Sequence, residues 1–251
     1  MKRAWYLHLT EAQTPDNAIL VGDRSRVWTI TNFLDSFEVL NEDRGLLTVR
    51  GQYKKMEILV VAFGMGSPIA AVVAHELVNL GVKRILRLGT MMRVGVSRLG
   101  DFVIAEDARG EDGTSKSYIS DRDLYHANSP LLTTSKESFK SFDIKPKVGR
   151  AMSVDGFYTS MMSLDKDSEA FVKERHKVYE TDYCLGIDME TAALYALGEK
   201  MNIEVCSICL VTVDGISKNK MNEFDRKVNE EILCQIGLIS LSRREEDASI
   251  K

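Results

Sequence analysis

The chain predicts a single α/β domain with a central mixed β-sheet flanked by helices. Three observations predict it: apolar runs that stop at glycine or a polar residue, helix-period stretches between them, and no Pro/Gly/Ser-rich linker, low-complexity segment or internal repeat across 1–251. Alternation of this kind means packed layers, with ligands gathering at the carboxyl ends of the strands. At 251 residues, 44% of them hydrophobic, the chain can bury one large core.

In chain order, the apolar run 19–21 stops at Gly22-Asp23, and the chain then turns helical through "RSRVWTI". Residues 56–64, "MEILVVAFG", form a continuous apolar run ended by glycine, the pattern of a strand buried on both faces. Ile69, Val72, Val73, Leu77 and Leu80 then recur at helical spacing, with Ser67 as the expected N-cap, Pro68 in the first turn and Gly81 at the end. Residues 84–90 and 102–107 read as strands, "METAALYALGEKMN" as a helix and "EVCSICLVTV" as a strand. From Met221 a long amphipathic helix is expected, with Phe224, Val228, Ile232 and Ile236 on one face. The charged tail from about 243 is expected to be flexible.

A formal net charge of −4 and a pI near 5.7 argue against bulk nucleic-acid binding, which needs a basic face. No apolar run is long enough for a membrane helix, and the N-terminal stretch lacks the apolar core of a signal peptide. A cytoplasmic protein is expected. Cys206 and Cys209 form a C-x-x-C within an apolar run, with no second ligand pair at zinc spacing, so no metal site is expected. Cys184, Cys206, Cys209 and Cys234 read as small buried side chains, and His75, His126 and His176 as structural or surface residues.

The strand ends carry the chemistry. Gly22-Asp23, "GMGSP" (64–68), Arg87 with Gly89 and Thr90, and Asp214 all fall there. Glycine lets backbone approach a ligand, arginine presents forked donors to phosphate oxygens, and threonine adds a hydroxyl. No G-x-x-x-x-G-K-S/T is present, and "GMGSP" lacks G-x-G-x-x-G spacing, so neither a P-loop nor a dinucleotide site is supported. Asp214-Gly215 is also a strong turn pair, and Glu190 could serve the dipole of the helix that follows it.

Six segments in order, "VGDRSR", "DRGLLTVRGQYKK", "GMGSP", "LRLGT", "GIDMETAALYAL" and "LVTVDG", resemble the nucleoside phosphorylase family that includes the hexameric purine nucleoside phosphorylases and the uridine phosphorylases. The likeness runs from about His8 to Asp214. It implies that Gly22, Arg26, Arg87 and Thr90 hold phosphate and that Arg44 reaches the phosphate of a neighbouring subunit. It also implies that His8 meets a neighbour's ribose 5′-hydroxyl, that Met65 and Met189 line the nucleoside, and that Glu190 binds the ribose hydroxyls. Phe157 would stack near the base, with Asp188 and Val213 close by, and Asp214 would be the general acid. No metal or organic cofactor is implied, with inorganic phosphate as co-substrate. Sharing of sites between subunits implies at least a dimer, and the family a hexamer.

These residue types suit phosphorolysis. The sugar becomes cationic as the glycosidic bond opens, and a phosphate held by arginines is nucleophile and counter-charge together. A purine leaves more easily when a carboxylic acid protonates its ring. The chain departs from the family at Arg24, which stands for a proline, at Phe63 for a histidine, and at Met91-Met92, where glycine is usual after "LGT". In place of an arginine shortly after the aspartate, the sequence offers Lys218 and Lys220. "TSMMSLDKD" (159–167) lacks the Gln-x-Arg with which uridine-cleaving members read a pyrimidine, which favours a purine substrate. Uridine phosphorolysis, hydrolysis by water and non-catalytic nucleoside binding are the alternatives.

Overall fold

The computed structural model describes residues 2–243, so the expected flexible tail beyond Arg243 lies outside the described residues. The first half runs β1 (Asn17–Val21), α1 (Arg24–Thr31), β2 (Ser36–Asn41), β3 (Thr48–Tyr53), β4 (Met56–Ala62), α2 (Ser67–Asn79) and β5 (Arg84–Arg93). Then come β6 (Phe102–Gly110), α3 (Gly113–Tyr118), β7 (Leu124–His126), α4 (Ser129–Ser138) and β8 (Lys147–Ser153). The chain finishes with α5 (Lys166–Thr181), β9 (Cys184–Asp188), α6 (Thr191–Met201), β10 (Glu204–Asp214) and α7 (Glu223–Ser242).

The strands form one mixed sheet. β5 pairs in parallel with β1 and β10, β10 runs antiparallel to β6, β6 and β8 are parallel, and β8 is parallel to β9, which returns antiparallel to β5. Those last five strands close a ring, from which β1, β4, β3 and β2 extend as an open wing.

Alternation along β1 shows why its run is wholly apolar: Ile19 and Val21 enter the layer beneath α1, α4 and α7, and Ala18 and Leu20 the layer beneath α2 and α6. Each such aliphatic side chain contributes about 1.5–3 kcal/mol through burial. Tyr195 of α6 ties the ring together, its hydroxyl donating to Ala105 O (2.6 Å) and accepting from Ser207 N (3.0 Å).

The structure corrects three expectations. α2 is capped at Gly66, and the Ser67 hydroxyl donates to Met189 O (2.7 Å). β5 continues past Thr90, because Met91 and Met92 pair with Val211 and Val213 where the ring closes. On α7, Phe224 and Val228 are 77% and 41% exposed; the helix starts beyond the sheet edge, and its buried face begins with Leu233, Cys234 and Ile236. Arg24 faces solvent and pairs with Glu42. Among the described residues no helix is long and apolar enough to cross a membrane. All four cysteines are free and buried.

Candidate active site

The ends of β1, β4, β5, β9 and β10 surround a cavity of about 580 Å³. At one end, Gly22 follows β1 so closely that a Cβ there would lie 2.8 Å from Gly64 O. Gly64 and Gly66 take φ values of 88° and 102°, which favour glycine, and carry Met65 between them at the mouth. Asp23 caps α1, its Oδ1 accepting from Ser25 N (2.8 Å). Burial pushes the Asp23 carboxyl up, but the amide and hydroxyl of Ser25 and the guanidiniums of Arg26 and Arg226 outweigh it and hold it low.

The centre is a buried ionic cluster. Arg87 Nη2 donates to Glu190 Oε2 (2.5 Å), and Nη1 lies 3.2 Å from Asp188 Oδ2. Nη1 also reaches Cys209 Sγ (2.7 Å) and Ser207 Oγ (3.3 Å) from the parallel strand β10. Burial pulls the Arg87 pKa down, but the neighbouring Cys209, Asp188 and Glu190 prevail, so the guanidinium stays charged. Its Nε is buried without a partner, an unmet donor beside the cavity. Glu190 Oε1 accepts from Gly66 N (2.7 Å), linking the glycine turn to the cluster. Asp188 is held by Ser153 Oγ (2.6 Å) and by the Thr191 hydroxyl.

The remaining wall is apolar. Met92 and Met161 pack in one cluster with Phe157, Met189 and Val213, and all five line the cavity.

Of the residues expected in the site, Gly22, Met65, Arg87, Thr90, Phe157, Asp188, Met189, Glu190 and Val213 line this one cavity. Arg26, Arg44, His8 and Asp214 do not. Arg26 is buried behind the wall, donating to Leu88 O (3.2 Å) and pairing with Glu230 of α7 (3.3 Å). Asp214 takes the turn geometry its Asp-Gly pair allows: Oδ1 accepts from Ile216 N (3.0 Å) and Ser217 N (3.2 Å), and Oδ2 pairs with Arg93 (3.2 Å). Burial raises its pKa, but those amides and Arg93 lower it further, so the carboxyl sits below its ordinary range. His8 and Arg44 lie together on the surface, His8 Nε2 being 3.5 Å from Asp43 Oδ2 and Arg44 stacking over the Tyr6 ring at 5.3 Å.

Asp23, Met161, Thr212 and Arg226 line the cavity without having been expected there. Arg226 was legible only as a cation early on α7; its Nε donates to Glu230 Oε1 (2.8 Å), the same oxygen that holds Arg26. It is the cavity's arginine from beyond Asp214, whereas Lys218 and Lys220 do not line the wall. His176, read as structural, is buried with Nε2 3.0 Å from Met161 O.

A family model described as the Phosphorylase superfamily matches residues 16–238. The chain is 30% identical over 216 residues to a guanosine phosphorylase of Halorubrum lacusprofundi, covering 86% of this chain and 84% of that protein. It is 31% identical over 206 residues to a DeoD-type purine nucleoside phosphorylase of a Thermoanaerobacter species, covering 80% and 84%. A solved uridine phosphorylase of Vibrio fischeri superposes with a TM-score of 0.84 at 26% identity, covering 96% of this chain and 98% of that one. The purine nucleoside phosphorylase of Toxoplasma gondii superposes with a TM-score of 0.82 at 22% identity, covering 96% and 95%, a likeness of fold.

Proposed function

This chain belongs to the phosphorylase superfamily, and from that premise we propose that it cleaves the N-glycosidic bond of a purine nucleoside with inorganic phosphate. Phosphate attacks the anomeric carbon, the bond from that carbon to the base nitrogen breaks, and free base and ribose 1-phosphate leave. The observation that carries the reading is Arg87, buried between Asp188 and Glu190 at the cavity wall with its Nε unpartnered. Arg87 orients the anion beside Gly22 and Thr90. Glu190, acceptor-only when ionised, takes the ribose hydroxyls. The base lies against the apolar wall.

Asp214 is the proton donor in this proposal. It follows Val213, which lines the cavity, and its carboxylate must leave the turn and Arg93 and take up a proton before it can serve. Asp214→Asn keeps an oxygen for the Ile216 and Ser217 amides and removes the acid. Purine turnover is expected to fall about a hundredfold while phosphate affinity holds; unchanged turnover would remove Asp214 from the reaction. A panel of inosine, adenosine, guanosine and uridine in phosphate tests the substrate class. Turnover of uridine alone would move the reading to a pyrimidine nucleoside.

A second copy completes the site in this reading. Three carboxylates (Asp23, Asp188, Glu190) and two guanidiniums (Arg87, Arg226) line the cavity, a balance that ill suits a phosphate dianion unless another cation arrives. Arg44, exposed beside His8, is the candidate for delivery to a neighbour. Light scattering is expected to give at least a dimer mass, with a hexamer the favoured assembly. Arg44→Ala is expected to raise the KM for phosphate about tenfold without changing that mass. A monomeric, active protein would contradict sharing.

A further inference from the structure

We infer that Glu76 of α2 is a positioning residue for the neighbour's site: its carboxylate clamps the loop that carries His8 and, through Tyr6, steadies Arg44. The proposal rests on the shared-site reading above and names the group that aims the shared residues.

The N-terminal segment folds back on itself, with Arg3 bridging Thr10 and Ala4 N donating to Leu9 O (2.8 Å). At the tip of this loop three successive amides turn toward one side chain. Glu76 Oε1 accepts from Trp5 N (2.9 Å) and Tyr6 N (2.8 Å), and Oε2 accepts from Leu7 N (2.9 Å). Hydrogen bonds to an ionised acceptor are roughly twice as strong as neutral ones, and three on one carboxylate fix the orientation of the loop. Leu7 and Leu9 are buried in the core cluster that holds Ala74 and Leu77 of α2, while Trp5 stays 80% exposed. The loop is pinned from beneath and turns its tip outward.

The clamp holds both side chains proposed for delivery. His8 and Arg44 take left-handed backbone, with φ values of 57° and 55°, which residues other than glycine rarely adopt. Such strain persists where the surroundings over-determine it, and it concentrates where geometry serves function. Tyr6, whose amide Glu76 holds, stacks its ring on Arg44 at 5.3 Å, and His8 Nε2 lies 3.5 Å from Asp43, the residue before Arg44. Loop and Arg44 are therefore one unit. At its other end α2 is locked into its own chain's cavity, Gly66 N donating to Glu190 Oε1 and the Ser67 hydroxyl to Met189 O. Glu76 follows Ser67 on the same helix, about 14 Å along its axis. The shared residues thus hang on a rigid element, which places a side chain more accurately than a free loop does.

The test is steady-state kinetics on single, double and mixed-chain variants. Glu76→Ala is expected to raise the KM for phosphate about tenfold, as Arg44→Ala does, with kcat nearly kept, the signature of lost binding and not of lost chemistry. The double variant should be no worse than either single one, because both remove the same delivery. Glu76→Gln, which keeps one acceptor oxygen, should fall between Glu76→Ala and the native chain. Coexpression of Glu76→Ala with Arg87→Lys under two affinity tags then yields mixed oligomers. In these the Glu76→Ala chain supplies an intact cavity and the Arg87→Lys chain an intact loop, so the KM for phosphate is expected to return to the native value. A mixed oligomer that keeps the raised KM overturns the assignment to the neighbour's site. A native KM in a folded, oligomeric Glu76→Ala protein, or additive losses with Arg44→Ala, overturns the role of Glu76. Should the alanine variant fail to fold or to assemble, Glu76→Gln makes the same comparisons. A wild-type protein that is monomeric and active overturns the shared-site reading itself and this inference with it.

Discussion

Arg87→Met is expected to lower phosphate-dependent turnover by about a thousandfold and to destabilise the protein as well. The two losses have separate causes. The guanidinium is the buried cation of the cavity, and removing a preorganised donor to a reacting oxyanion costs about 10²–10³ in rate. Asp188 and Glu190 are 2% and 5% exposed and both pair with Arg87. Stripped of it, they are buried charges without a counter-ion, a loss of about 3–5 kcal/mol. Arg87→Lys separates the effects. Its ammonium restores the charge but not the fork that reaches Glu190 from one nitrogen and Asp188, Ser207 and Cys209 from the other. Urea midpoints are therefore expected to recover in the lysine variant while kcat/KM for phosphate stays low. Near-native turnover in a folded Arg87→Met protein would reduce Arg87 to a structural role.

Glu190→Gln is expected to lower kcat/KM for the nucleoside about a hundredfold, since hydrogen bonds to a charged group are worth about 1.5–3 kcal/mol. Its effect on phosphate should have the opposite sign. Glu190 Oε2 holds Arg87 Nη2 at 2.5 Å, so the carboxylate competes with any anion for that donor. The neutral amide keeps an oxygen for Gly66 N and weakens the grip on Arg87, and phosphate is expected to bind more tightly. Titration with phosphate alone and with nucleoside alone reads the two signs. A parallel loss of both affinities would mean that the substitution merely disorders the cluster.

How much of this was legible in the sequence depends on whether the deciding contact is local. The runs 19–21 and 56–64 announce strands because both faces of those strands are buried. β8 and β9, "KVGRAMS" and "CLGID", carry weaker patterns and are strands because the ring closes through them. The helical period on α7 was readable, but not that Phe224 and Val228 overhang the sheet. Arg87, Thr90, Asp188, Met189 and Glu190 fell into place because two short segments, one within β5 and one at the end of β9, carry them. Arg26 and Asp214 stand at motif positions, yet their partners, Glu230 and Arg93, lie 204 and 121 residues away. Spacing within a motif carries no information about such partners. Arg226 went unread for the same reason: only the docking of α7 against α1 brings it to the cavity. His8 and Arg44 take a catalytic meaning only through a second copy.

The most direct test of phosphorolysis is the stoichiometry of products from inosine. The protein, freed of phosphate, should release no hypoxanthine. With phosphate added, each mole of base released should be matched by one mole of ribose 1-phosphate and one of phosphate consumed. Release of base without phosphate, with free ribose as the second product, would contradict the account.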